Sequence, residues 1–121
     1  MKCKKFKYKD YKNCTFYVGN YINNHKSMAI EIIGEDKELI CCCTVNMAEY
    51  LYFNGTATIK NYSENAGMTK FLSELGIINT IYSKRQCNPY AGKDETIDFC
   101  EINVSKLKEY SSEFNYEYDF E

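Results

Sequence analysis

The sequence predicts an α+β domain: a mostly antiparallel sheet of about five to six short strands with one central helix at about residues 64–75. Three observations carry this. Apolar residues alternate at period two in residues 28–33 and 38–45. A later stretch repeats them at helical spacing, as Met68, Phe71, Leu72 and Leu75. Gly, Asn and other turn formers punctuate the intervals between such runs. The length of 121 residues suits one domain with a single core. Aromatic content of 16% and a net charge of only −2 argue against a chain disordered throughout.

The elements follow in order. Residues 14–18 (CTFYV) are aromatic and β-branched and stop at Gly19-Asn20, a turn signal; residues 20–26 read as a polar loop. In residues 28–33 Met28, Ile30 and Ile32 share one strand face. Gly34-Glu35-Asp36-Lys37 turns the chain, and residues 38–45 return. Their Leu39, Cys41, Cys43 and Val45 lie on one face, with Glu38, Ile40, Cys42 and Thr44 on the other. Residues 47–53 (MAEYLYF) suit a helical turn or a strand. Asn54-Gly55 marks a turn, and residues 56–59 are β-prone. The helix has Asn61 or Ser63 as its N-cap, a capping-box-like pair in Asn61 and Glu64, and Gly76 suited to the left-handed C′ position. Gly67 weakens its first turns. Residues 77–82 are strand-like, residues 86–95 a loop around Pro89 and Gly92, residues 96–104 a last strand, and residues 105–110 a short helix. Residues 111–121 show no core-forming period, and no internal repeat occurs.

Charge divides the chain into three parts: a basic N-terminal arm or edge strand (1–13), a single α+β domain (14–110) and an acidic aromatic tail (111–121). Residues 1–12 carry a net +5 and residues 109–121 a net −5, so the small overall charge conceals two opposite ends. No run approaches the ~18 apolar residues of a membrane span. The N-terminus has no apolar stretch of signal-peptide type, so a cytoplasmic protein is expected. Seven cysteines, an odd number that includes Cys41, Cys42 and Cys43 in succession, then read as free thiols in a reducing compartment.

No candidate chemistry outweighs its plainer reading. Zinc sites pair cysteines and histidines at fixed spacing; here Cys3, Cys14, Cys87 and Cys100 are scattered and read as small hydrophobes. A cysteine nucleophile would need the sole histidine, His25, which lies in a polar loop. The glycines follow no phosphate-binding pattern. No metal, cofactor or enzymatic activity is expected. The basic run interleaves Lys4, Lys5, Lys7 and Lys9 with Phe6 and Tyr8. That pattern suits the charged face of an edge strand, a protein contact, or a nucleic-acid arm that tracks phosphates and stacks bases. In the tail, Glu113, Phe114, Tyr116, Glu117, Tyr118, Asp119 and Phe120 combine carboxylates that imitate phosphates with aromatic contact area. This is a partner-binding pattern, or a frayed terminus, or a mate for the basic arm. Tyr82, Lys84 and Arg85 form the one local cluster able to stack on a nucleotide and hold its phosphate.

The order of certain segments resembles a small family of unknown function carried by phages and mobile elements of Gram-positive bacteria. The residues behind the likeness are Tyr17-Val18-Gly19-Asn20-Tyr21, Met28-Ala29-Ile30-Glu31-Ile32, Thr44-Val45-Asn46, residues 60–67 (KNYSENAG) and Leu75-Gly76-Ile77-Ile78. The Ser-Glu-Asn-x-Gly stretch is the most specific piece, and the likeness covers about residues 16–80. It offers no catalytic residues to carry over. By analogy it implies a counter-defence role, an inhibitor of a host defence protein or ribonucleoprotein complex, anti-CRISPR in kind, acting by occlusion of a basic surface with tyrosine-rich contacts. A sponge for a nucleotide immune signal, with a pocket often shared in a homodimer, and an element-encoded DNA-binding accessory protein are the alternatives.

Overall fold

A computed structural model describes residues 3–22, 26–87 and 95–117. Among these, nine strands form two sheets: β1 (Phe6–Tyr8), β2 (Tyr11–Asn20), β3 (Met28–Ile33) and β4 (Leu39–Cys42) in the first, and β5 (Thr44–Val45), β6 (Thr56–Asn61), β7 (Ile78–Gln86) and β8 (Thr96–Ile102) in the second, ordered β5-β6-β8-β7. The last strand, β9 (Ser111–Phe114), joins the first sheet beside β2. The helices are short: α1 (Met68–Glu74), preceded by a 3-10 turn at Ser63–Asn65, and α2 (Val104–Glu109).

The α+β expectation, with one sheet of about five to six strands and a central helix over residues 64–75, is therefore corrected. With 50% of the described residues in strands and 15% helical, the domain is β-rich. The helix is broken because Ser63 (φ 57°) and Gly67 (φ 92°) both take left-handed backbone that an α-helix cannot pass through. The N-cap of what remains is Gly67 rather than Asn61 or Ser63, though the Asn61 side-chain oxygen, from the end of β6, accepts from the N–H groups of Gly67 (3.1 Å) and Thr69 (3.0 Å). The single strand read over residues 38–45 splits at Cys43. The Cys43 N–H donates to Ile30 in the first sheet (2.8 Å), while its carbonyl accepts from Lys60 in the second (2.8 Å). One residue thus hands the chain from sheet to sheet.

Both inner faces feed one core. Cys14, Phe16 and Val18 of β2 and Ile30 and Ile32 of β3 meet Ala57 and Ile59 of β6 and Cys100 and Ile102 of β8, with Met68, Leu72 and Leu107 from the helices. Phe71 of α1 reaches across to Phe6 (5.8 Å) and Tyr8 (5.0 Å), so residues 6–8 of the basic arm are bound into this core. β2 is the hub of the first sheet. It pairs antiparallel with β3 on one side. Along the other it takes β1 antiparallel and β9 parallel, end to end. No helix among the described residues is long and apolar enough to cross a membrane.

Candidate functional site

On the outer face of the second sheet the register places Thr58 of β6 opposite Phe99 of β8, with Tyr82 of β7 5.7 Å from the Phe99 ring. The segment before β6 folds across this face. Tyr50, Tyr52 and Phe53 set their rings 5.3, 5.7 and 5.9 Å from Phe99. The segment is fastened at two points. The Tyr52 hydroxyl accepts from the Met47 N–H (2.9 Å) and bonds the Thr58 hydroxyl (2.8 Å). Arg85 pairs with Glu49 (3.2 Å) and lies over the Tyr50 ring. Held this way, the segment projects Leu51, 91% exposed, with the half-exposed rings of Phe53 (44%) and Tyr82 (47%), 5.6 Å apart, on the same face. A large aliphatic side chain that far into water, set beside half-exposed rings, makes this face the most apolar of the exposed candidates.

Of the residues singled out by sequence, Tyr82 and Arg85 belong to this face. Lys84 stands in register with Asp98, whose side chain is buried on the inner face and accepts from the Thr69 hydroxyl (2.6 Å). Strand alternation thus separates Lys84 from the other two, and the three do not form one phosphate-holding cluster. Tyr50, Leu51, Phe53 and Phe99 were absent from the sequence-based candidates; three aromatics in residues 50–53 were the available signal.

The basic run is dispersed. Lys4 pairs with Glu109 (2.8 Å), a hydrogen bond that raises the lysine pKa and lowers that of the carboxylate. Lys9 donates to the Glu64 carbonyl (3.0 Å), Lys5 lines a cleft on the first sheet, and Lys7 is exposed. Phe6 and Tyr8 point inward and are unavailable for base stacking. Of the tail, β9 is zipped onto β2, Glu113 and Glu117 are exposed, and Lys108 covers the Phe114 ring at 5.0 Å. Tyr116 departs from the partner-binding expectation. It is buried, its hydroxyl accepting from the Gly55 N–H (2.9 Å) and donating to the Lys26 carbonyl, because β9 steers it under the chain ends that enter β3 and β6. Tyr118, Asp119, Phe120 and His25 lie outside the described residues.

All seven thiols are free. Burial pushes Cys100 up to about 12 and raises Cys43 well above its ordinary value. Cys41 goes the other way: a hydrogen bond from Cys43 lowers it against the opposing effect of burial, helped by the Tyr8 hydroxyl and the charge of Lys9. Among the described residues, no three His, Cys, Asp or Glu side chains converge as metal ligands. Set beside protein-family models, curated proteins and solved structures, the chain matches none.

Proposed function

We propose that this chain is a non-catalytic binding protein of phage or mobile-element type. It inhibits a host defence complex, anti-CRISPR in kind, and makes contact through the aromatic face of the second sheet. The observation that carries the reading is Leu51, exposed yet held on a fastened segment. An apolar anchor whose backbone is ordered before binding loses little conformational entropy on docking. Exposed tyrosine and phenylalanine around such an anchor are the usual high-energy contacts of protein interfaces. Glu101, opposite Thr56 on the same face as Phe99, supplies negative charge at the margin. A carboxylate there suits a basic, nucleic-acid-binding groove on the partner.

Affinity capture from a defence-carrying Gram-positive host, with captured proteins identified by mass spectrometry, tests this. The intact chain is expected to recover subunits of a nucleic-acid-binding defence complex, and L51D/F53S is expected to lose them at an unchanged melting temperature. Recovery of no such complex, or equal recovery by the variant, overturns the proposal.

A further inference from the structure

The first sheet carries a site of different chemistry. β1 and β9 share one edge of β2 without meeting: β1 pairs with residues 11–14 and β9 with residues 16–18. Their ends are pinned where they approach, by Lys4 N–H to the Glu109 carbonyl (2.7 Å) and Phe16 N–H to the Tyr110 carbonyl (2.9 Å). Thr15 falls at this discontinuity. Its side chain alternates outward from the core-facing Cys14 and Phe16, yet it is only 8% exposed, because it forms the floor of a cleft. The cleft measures about 600 Å³, inside the range of small-molecule sites.

The hydrogen-bonding capacity of the lining is sorted by depth. At the floor Thr15 Oγ1 donates to Ser112 Oγ (2.9 Å), and Ser112 Oγ donates to the Phe16 carbonyl (3.4 Å). With both hydroxyl protons committed, these oxygens face the cleft as acceptors. The exposed Glu113 carboxylate, also in the lining, is a further acceptor, whereas Glu35 is already engaged by Asn13 Nδ2 (2.6 Å). The Tyr17 ring, half exposed on β2, supplies an aromatic wall. Lys5 and Lys37 are the cations of the lining; both are exposed, and neither has an ion-pair partner among the described residues. A complementary ligand presents hydrogen-bond donors, a flat ring to stack, and an anion.

We propose that this cleft binds a small nucleotide. Its phosphate lies between Lys5 and Lys37, its base stacks on Tyr17, and its sugar hydroxyl or exocyclic amine donates to Thr15, Ser112 and Glu113. This site is independent of the aromatic face and stands or falls without it.

Isothermal titration of the full chain with 5′-AMP, 5′-GMP, cyclic di-AMP and inorganic phosphate is the test. At least one nucleotide is expected to bind, more tightly than inorganic phosphate and less tightly as salt is raised. Losing one charge-assisted contact costs about tenfold in affinity, so K5A and K37A should each weaken binding by about that factor. Y17L should weaken the nucleotide but not phosphate, and R85A should change nothing. Absence of binding by every nucleotide, phosphate binding as tightly as any of them, or full affinity in a natively melting K5A/K37A variant overturns the proposal.

Discussion

The outer faces of the two sheets, built over one core, have opposite chemistry. The second sheet is roofed by a segment that turns Tyr50, Tyr52 and Phe53 onto Phe99 and leaves Leu51 in water. Among the described residues the first sheet has no such roof, and the break between β1 and β9 leaves a polar cleft edged by lysines. Inner faces were filled by apolar alternation in both cases, so it is the outward residues and the connections crossing them that make the faces differ. The lesson concerns where function sits on a small β-rich domain. A shared core sets stability, and each outer face is free to carry its own recognition chemistry.

The two faces should fail together when the core fails. F16A removes a fully buried ring under the first sheet and should cost about 3–5 kcal/mol, read as a lower urea midpoint, with Leu51-side and cleft-side probes losing signal in one transition. Separate transitions would show two cores. A smaller effect is expected from Y116F, whose lost hydroxyl leaves the Gly55 N–H beside it unpaired. Because Tyr116 follows β9 of the first sheet and ties the start of β6 in the second, about 1–3 kcal/mol should be lost, measured by the same denaturation. A change below about 0.5 kcal/mol, the range of ordinary surface substitutions, would mean that this link does not join the sheets.

Acid weakens an ion pair of the second sheet that lies beside a contact from the first. Glu64 takes Lys60 of β6 on its carboxylate (2.6 Å) and Lys9, next to β1, on its carbonyl. The Lys60 hydrogen bond holds the Glu64 carboxyl at about 2, against an ordinary 4.5. A carboxyl that is more acidic in the folded chain stabilises it fully above its unfolded pKa, and that contribution fades as pH falls from about 4.5 towards 2. The melting-temperature gap between the intact chain and E64Q should therefore narrow as pH drops from 6 to 3. A gap that widens contradicts the assignment. The smallest effect is on thiol chemistry. With its pKa lowered, Cys41 of the first sheet should react with iodoacetamide at neutral pH faster than Cys42 or Cys87, whose values are raised chiefly by burial. Cys100 of the second sheet should resist until the chain unfolds. Peptide mapping reads both outcomes.

Legibility in the sequence followed burial pattern. Residues 28–33 alternate because one face is core and the other is not, and β3 appears with those bounds. β7 is exposed along nearly all of its length, so no alternation extended the reading past residue 82. β9 is short and lies among acids and aromatics that resemble a free tail; only its pairing with β2, about 95 residues earlier in the chain, makes it a strand. The candidate sites were harder still. Tyr82 and Arg85 were visible as a local cluster, but Phe99 and residues 50–53 reach them through the fold. The cleft is assembled from residues just before β1, from β2 and β9, and from the end of β3 and the turn after it, which no local spacing reveals.

The central claim is that the aromatic face, and not the basic run or the cleft, carries inhibition. It is tested most directly by transforming a targeted plasmid into the host whose complex the chain captures, with the intact chain, L51D/F53S or K5A/K37A expressed beforehand. The account predicts that the intact chain and K5A/K37A restore transformation and that L51D/F53S does not. Restoration by L51D/F53S, or by none of the three, would contradict it.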